Sequence, residues 1–226
     1  ILKTSFDGRV VIVSDLDSDG DADIIAGSYD QDKVTWFENV TTYGPANITN
    51  DIRFWYSADT LTPGGPTATG WADRSGRSEN TTVTNNPQLE SAPINYNKAI
   101  NFTSDYFTTT STYLIGNNNP YTKIAVFTMN TTSGNRNIIS AGSGGQHAMF
   151  SNGSSVVEFY HNGPKFSSPA YTLDVPSIGA LRYGSGGTDN VARLDGQSTV
   201  NNTTYNFTDG GTVQIGAYTS ASTHAG

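Results

Sequence analysis

Short apolar runs closed by turn-forming pairs recur along the whole chain, and this rhythm leaves little room for anything but β structure. Val156-Val157-Glu158-Phe159-Tyr160-His161 ends at Asn162-Gly163, and Asn190-Val191-Ala192-Arg193-Leu194 ends at Asp195-Gly196. Both dipeptides favour the positive φ angles of tight hairpins. Ile124-Ala125-Val126-Phe127-Thr128-Met129 reads as a central strand and Val213-Gln214-Ile215-Gly216 as a further one. No segment of ten residues carries a helical period. The pattern predicts an all-β chain whose larger part is an antiparallel β-sandwich or jelly roll.

The N-terminal part is organised differently. Val10-Val11-Ile12-Val13 predicts a buried strand, Ile24-Ile25-Ala26-Gly27 a second, and Val34-Thr35-Trp36-Phe37-Glu38-Asn39 a third after the turn Tyr29-Asp30-Gln31-Asp32. Between the first two lies Asp15-Leu16-Asp17-Ser18-Asp19-Gly20-Asp21-Ala22-Asp23. Five carboxylates within nine residues repel one another unless a cation joins them. Calcium takes six to eight hard oxygen ligands, and aspartates at alternate positions of a tightly curled loop can all point inward. Asp15, Asp17, Asp19 and Asp23 are the expected carboxylate ligands, Gly20 permits the bend, and Asp21 supplies its backbone carbonyl. Ca2+ is the expected cofactor.

Charge supports this division. The chain of 226 residues has a net charge of −8. Residues 1–40 hold nine acids against Lys3, Arg9 and Lys33, whereas residues 41–226 hold eleven acids against nine bases. The acidic module repels nucleic acid, and no Lys/Arg stripe elsewhere attracts it. No run approaches the roughly 18 to 20 apolar residues of a membrane-spanning helix. Cysteine is absent, which excludes disulfides, thiolate metal sites and a Cys nucleophile.

The Asp-x-Asp-x-Asp-Gly-x-x-Asp loop between two strands resembles the VCBS and FG-GAP repeats of integrin-α-type propellers, as does the ending Val34 to Asn39. It departs from the helix-loop-helix calcium motif, which would place a bidentate Glu where Ala26 stands. From residue 51 onward the chain resembles laminin-G-like, concanavalin A-like jelly rolls. Phe54-Trp55-Tyr56-Ser57-Ala58-Asp59 is similar to the opening strand, and Gly70-Trp71-Ala72-Asp73-Arg74-Ser75-Gly76 to the turn after it. Lys98 to Phe102 with Asp105-Tyr106-Phe107, the Arg193 to Gly196 hairpin and Val213 to Gly216 follow in the family's order. The resemblance implies a calcium-binding repeat over residues 1–42, ending a longer array, a linker over 43–50 and a jelly roll over 51–226. The family's closing strand is not among these residues, so an open sheet edge is expected, with self-association through it or a strand supplied from elsewhere.

Catalysis has little to stand on in the sequence. Glucanases of this architecture set two acids close together on one strand, but Glu79, Glu90 and Glu158 have no acidic neighbour within two residues. His147, His161 and His224 lack metal-ligand spacing, and Gly142-Ser143-Gly144 and Gly184-Ser185-Gly186 lack the full nucleophile elbow. The expectation is a non-enzyme. Aromatic rings can stack on sugar faces; Tyr160, His161 and Tyr183 are the candidate ligand residues, whereas Trp55 and Trp71 read as core. Nine Asn-x-Ser/Thr sequons stand at Asn39, Asn47, Asn80, Asn101, Asn130, Asn152, Asn201, Asn202 and Asn206. They are the candidate glycosylation sites of an extracellular protein. The expected work is adhesion or recognition of glycan or matrix within a larger surface or secreted protein. The alternatives are a structural subunit of a filament or stalk and an accessory domain of a carbohydrate-active enzyme.

Overall fold

The computed structural model describes residues 10–14, 16, 22–29, 32–37, 48, 51–58, 61, 68–94, 97–112, 115–116, 119–141, 147–161, 165–184, 190–201, 211–218 and 222–223. The chain divides into two compact units, Ile1–Ile52 and Arg53–Gly226. Strands dominate both, and no helix among the described residues is long and apolar enough to cross a membrane.

The first unit is a three-stranded antiparallel sheet of β1 (Val10–Ser14), β2 (Asp23–Ser28) and β3 (Lys33–Phe37), in that order. Val10 opposes Gly27, which opposes Val34; Ile12 opposes Ile25, which opposes Trp36. Side chains alternate across a strand, so Val10, Ile12, Val34 and Trp36 share one face. The sequence predicts that β1 is buried. Instead every residue of β1 is exposed, because three short strands cannot enclose both of their own faces.

The second unit is a sandwich. One sheet contains β12 (Lys165–Ala170), β11 (Val156–His161), β10 (His147–Ser151), β9 (Arg136–Ala141), β16 (Val213–Ile215), β7 (Tyr106–Thr109) and β4 (Thr81–Thr84), in that spatial order. The other contains β15 (Gln197–Asn201), β14 (Asn190–Leu194), β13 (Ser177–Tyr183) and β8 (Tyr121–Phe127). Two hairpins complete it, β5 (Gln88–Ile94) with β6 (Asn97–Asn101), and β17 (Ala217–Tyr218) with β18 (Ser222–Thr223). The main core draws Phe127, Leu181 and Leu194 from the smaller sheet and Met149, Phe159 and Val213 from the larger. A second cluster continues along the larger sheet, where Phe107 and Ile215 meet Phe102, Leu61 and Trp71.

Local chemistry accounts for the hairpins. Leu194 pairs with Gln197, and between them Asp195 and Gly196 take φ +49° and +83°, the left-handed values of a two-residue turn. β11 and β12 likewise pair across the Asn162-Gly163 position. Two expectations need correction. β8 is an edge strand of its sheet, not a central one: its burial alternates, with Lys123 and Phe127 inside while Thr122, Ile124 and Val126 face out. Phe54 to Ser57 has no ladder partner among the described residues; it forms an aromatic brace instead. Phe54 stacks on Tyr56, and Tyr56 lies 5.6 Å from Trp71.

Asp73 is the hub of that brace. Its carboxylate accepts from the backbone N–H groups of Trp55 (2.9 Å), Ser75 (2.9 Å) and Glu79 (3.0 Å) and from Ser75 Oγ (2.6 Å). Trp71 Nε1 donates to the Ser57 carbonyl at 2.8 Å, which confirms Trp71 as a framework residue. Deeper in the sandwich, one polar pair interrupts the apolar layer. Lys123 Nζ lies 2.6 Å from His147 Nδ1 and 3.4 Å from the Ile139 carbonyl, and both side chains are buried.

Candidate functional site

The strand alternation that sends Met149 and Phe159 into the core sends their neighbours to the outer face of the seven-stranded sheet. Register sets a row across it: Thr82 opposes Thr108, Thr108 opposes Gln214, Gln214 opposes Ser140, Ser140 opposes Ala148, and Ala148 opposes Tyr160. In the adjacent row Asn137 opposes Phe150, and Phe150 opposes Glu158. The pairing of β9 with β10 shifts between Met149 and Phe150, leaving Ile138 as the extra residue. This bulge is why Asn137 and Ser140, three apart, share a face. Ser140 Oγ donates to Asn137 Oδ1 at 3.2 Å, and Gln214 Nε2 donates to Thr108 Oγ1 at 3.5 Å.

Asn137, Ser140 and Gln214 are buried although they point away from the core. β17 lies near this floor, and its Tyr218 ring meets Tyr160 edge-on, with centroids 6.4 Å apart and planes at 73°. Burial pushes the Tyr218 phenol above the usual range, and the neighbouring Tyr160 phenol adds to it. Tyr218 therefore stays protonated through neutral pH and keeps its O–H as a donor. Asn152 Nδ2 donates to Glu158 Oε1. The arrangement is a pair of aromatic rings beside a floor of carboxamides, hydroxyls and one carboxylate. It can stack on an apolar ring face while hydrogen-bonding polar substituents.

Of the residues singled out in the sequence, Tyr160 stands on this face, half-buried. The backbone of His161 pairs with His147; its side chain lies outside the described residues. Tyr183 is corrected: it is buried, packs with Ile115 and stacks on Tyr121 at 5.5 Å, so its ring cannot meet a ligand at the surface. Burial also raises its phenol pKa. Asn137, Ser140, Gln214, Glu158 and Tyr218 were not among the candidates. Strand alternation alone could have paired Gln214 with Thr108, but the bulge in β9 breaks the phase on which Asn137 and Ser140 depend.

The acidic loop is described only in part. Asp15, Asp17, Asp19 and Asp21 lie outside the described residues. Asp23 opens β2 fully buried, and its Oδ2 accepts from the Leu16 N–H at 3.1 Å. Among the sequons, Asn80, Asn101 and Asn130 are exposed. Asn152 is half-buried with its amide on Glu158. Asn201 closes β15, its side chain outside the described residues, as are Asn39, Asn47, Asn202 and Asn206.

No family model matches the chain, and no curated protein matches it. Among solved structures it is similar to a Trypanosoma rangeli sialidase in complex with sialic acid, at 13% identity and a TM-score of 0.48. The match covers 90% of this chain and 38% of the sialidase chain, so the chain spans well under half of that protein's length.

Proposed function

We propose that the chain is an extracellular recognition module, in which a laminin-G-like sandwich binds neutral glycan on the outer face of its seven-stranded sheet. The half-buried Tyr160–Tyr218 pair on that face carries this reading. Tyrosine rings give a stacking surface at small entropic cost, and their phenol groups can hydrogen-bond sugar hydroxyls. The test is calorimetry of the 226-residue chain against neutral oligosaccharides found by array screening. Tyr160→Ala and Tyr218→Ala are each expected to weaken binding about tenfold, the effect of about 1.4 kcal/mol. Binding unchanged in both variants, or no glycan bound, would sink the reading.

We also infer that the face binds without catalysis. Glycoside hydrolysis needs a second carboxylate about 5–10 Å from the first, and among the described residues the register sets Phe150 and Ser167, not an acid, opposite Glu158. Turnover of a bound glycan that Glu158→Gln abolishes would overturn this.

In the same reading, the first unit is a VCBS-like repeat held together by Ca2+ through Asp15, Asp17, Asp19 and Asp23, with the Asp21 carbonyl. The unfolded loop has no preformed site, so the binding free energy adds to folding. At calcium a hundredfold above the dissociation constant, the first unit should gain about 2.7 kcal/mol over its state in chelator. Asp17→Ala should remove most of that gain. Asp32→Ala, in the turn between β2 and β3, should leave it intact. Equal thermal unfolding in calcium and in chelator would remove the metal from the reading.

A further inference from the structure

The four-stranded sheet ends at β8, whose ladder partner among the described residues is β13, on one side only. Its inward side chains therefore tie it to the opposite sheet. One of them is Lys123, 3% exposed. Its Nζ donates to the Ile139 carbonyl of β9 at 3.4 Å and lies 2.6 Å from Nδ1 of His147 on β10. His147 has no exposed surface. The same Nζ stands 5.4 Å from the centre of the Tyr121 ring, which is 6.0 Å from His147 and 5.5 Å from Tyr183. One side chain of an edge strand thus reaches two strands of the other layer.

Two nitrogens at this separation share one hydrogen. At neutral pH the Lys123 ammonium donates to the lone pair of a neutral imidazole. A second proton removes that lone pair and sets an imidazolium against an ammonium in a buried layer. The described strands around the pair hold no carboxylate to offset this. β8, β9, β10, β13, β14 and β16 contain neither Asp nor Glu, and Glu158 of β11 stands opposite Phe150 on the outer face. Tyr121 and Tyr183 contribute phenols, which carry no charge below pH 7. His161 opposes His147 in the ladder and is itself a base. Arg182 and Arg193 are exposed, and Arg136 lies at the far end of β9, opposite Ser151.

We propose that the Lys123–His147 contact is an acid-sensitive lock on the sandwich edge: below about pH 6.5, protonation of His147 breaks the contact and β8 opens. An exposed imidazole takes up its proton near about pH 6.5. Opening therefore binds one proton below that pH and none above it. The lock is at full strength above about pH 6.5, and its advantage shrinks about tenfold per unit as pH falls. Carboxylates, titrating near about pH 4, contribute little in this window.

The test is hydrogen exchange of the whole chain, read by mass spectrometry on peptides covering β8 and corrected for the intrinsic pH dependence of exchange. In the wild type the opening constant of β8 should rise about thirtyfold from pH 7.5 to 5. In His147→Gln the amide oxygen still accepts from Lys123 but takes up no proton, so the constant should change less than twofold. Lys123→Met keeps the imidazole and removes the second cation, and its acid rise should shrink to a fewfold. That variant also serves if His147→Gln does not fold. His161→Gln should keep the wild-type rise. A wild-type β8 that opens equally at pH 7.5 and 5 would overturn the proposal. So would a full acid rise in His147→Gln or in Lys123→Met, or its loss in His161→Gln.

Discussion

Replacing Phe107 with alanine is expected to remove about 3–5 kcal/mol of stability from the second unit, the usual cost of emptying a fully buried aromatic site. Phe107 has no exposed surface. Its ring lies 5.4 Å from Trp71 and 5.8 Å, edge-on, from Phe102, and it stands between Val83 and Ile215 in the register of β4, β7 and β16. The residues packed with it include Leu61 and Ala68, and Leu89 and Ile100 of the β5–β6 hairpin. Strands and loops on both sides hold their positions through this ring, so the cavity should collapse only in part. Urea unfolding should show a lower midpoint at nearly constant slope. Against a total stability of about 5–15 kcal/mol the change is large. Ile124→Ala, on the exposed face of β8, is the comparison and should cost well under 1 kcal/mol. A Phe107→Ala loss as small as that of Ile124→Ala would mean that the second cluster is not a cooperative part of the fold.

Asp73→Ala should be the next most damaging change, at about 2–4 kcal/mol. Four donors converge on this carboxylate, three of them backbone N–H groups, and alanine leaves all four without it. The effect has a pH signature. Burial on its own raises the carboxyl pKa, but the bonds from Ser75, Trp55 and Glu79 outweigh it and hold the group below its ordinary value. The unfolded carboxyl titrates near about 3.9. A folded pKa below that makes the contribution complete above about pH 4 and diminishes it as pH falls through the folded value. The stability gap between the wild type and Asp73→Asn should therefore be constant from pH 5 to 8 and narrow below pH 4. A gap that does not change with pH would place the stabilisation in geometry alone.

The fold class was legible because turn chemistry is local. Asp195-Gly196 needs no tertiary information to bend the chain, and the strands on either side follow from it. The topology was less legible. Val213 to Ile215, late in the chain, inserts between β7 and β9 in the middle of the larger sheet. Nothing in its own residues announces that position. Ile124 and Val126 read as core because they are apolar, yet they face solvent; hydrophobicity reports what a side chain prefers, not which sheet face receives it. Tyr183 shows the opposite error, a polar-tipped ring taken for surface that lies inside against Tyr121. The polar floor depended on a bulge, and a one-residue phase change cannot be read from residue type. Asp73 stood out only as part of its Trp-x-Asp-x-Ser-Gly turn; its role as a hub was not legible there, because the Trp55 N–H reaches it from 18 residues away.

The buried Lys123–His147 pair bears on errors of alignment. A β-strand that slips by one residue turns its apolar side chains outward, and hydrophobicity alone rejects that mistake. A slip by two residues keeps the alternation, so hydrophobicity barely detects it. For β8 sliding along β13, such a slip would carry Lys123 about 7 Å from His147 and the Ile139 carbonyl, into the layer occupied by Met149 and Leu181. An ammonium stranded among hydrocarbon costs several kcal/mol, far more than the few apolar contacts exchanged. The pair thus works as a notch that tells one alignment of the edge strand from its nearest counterfeit.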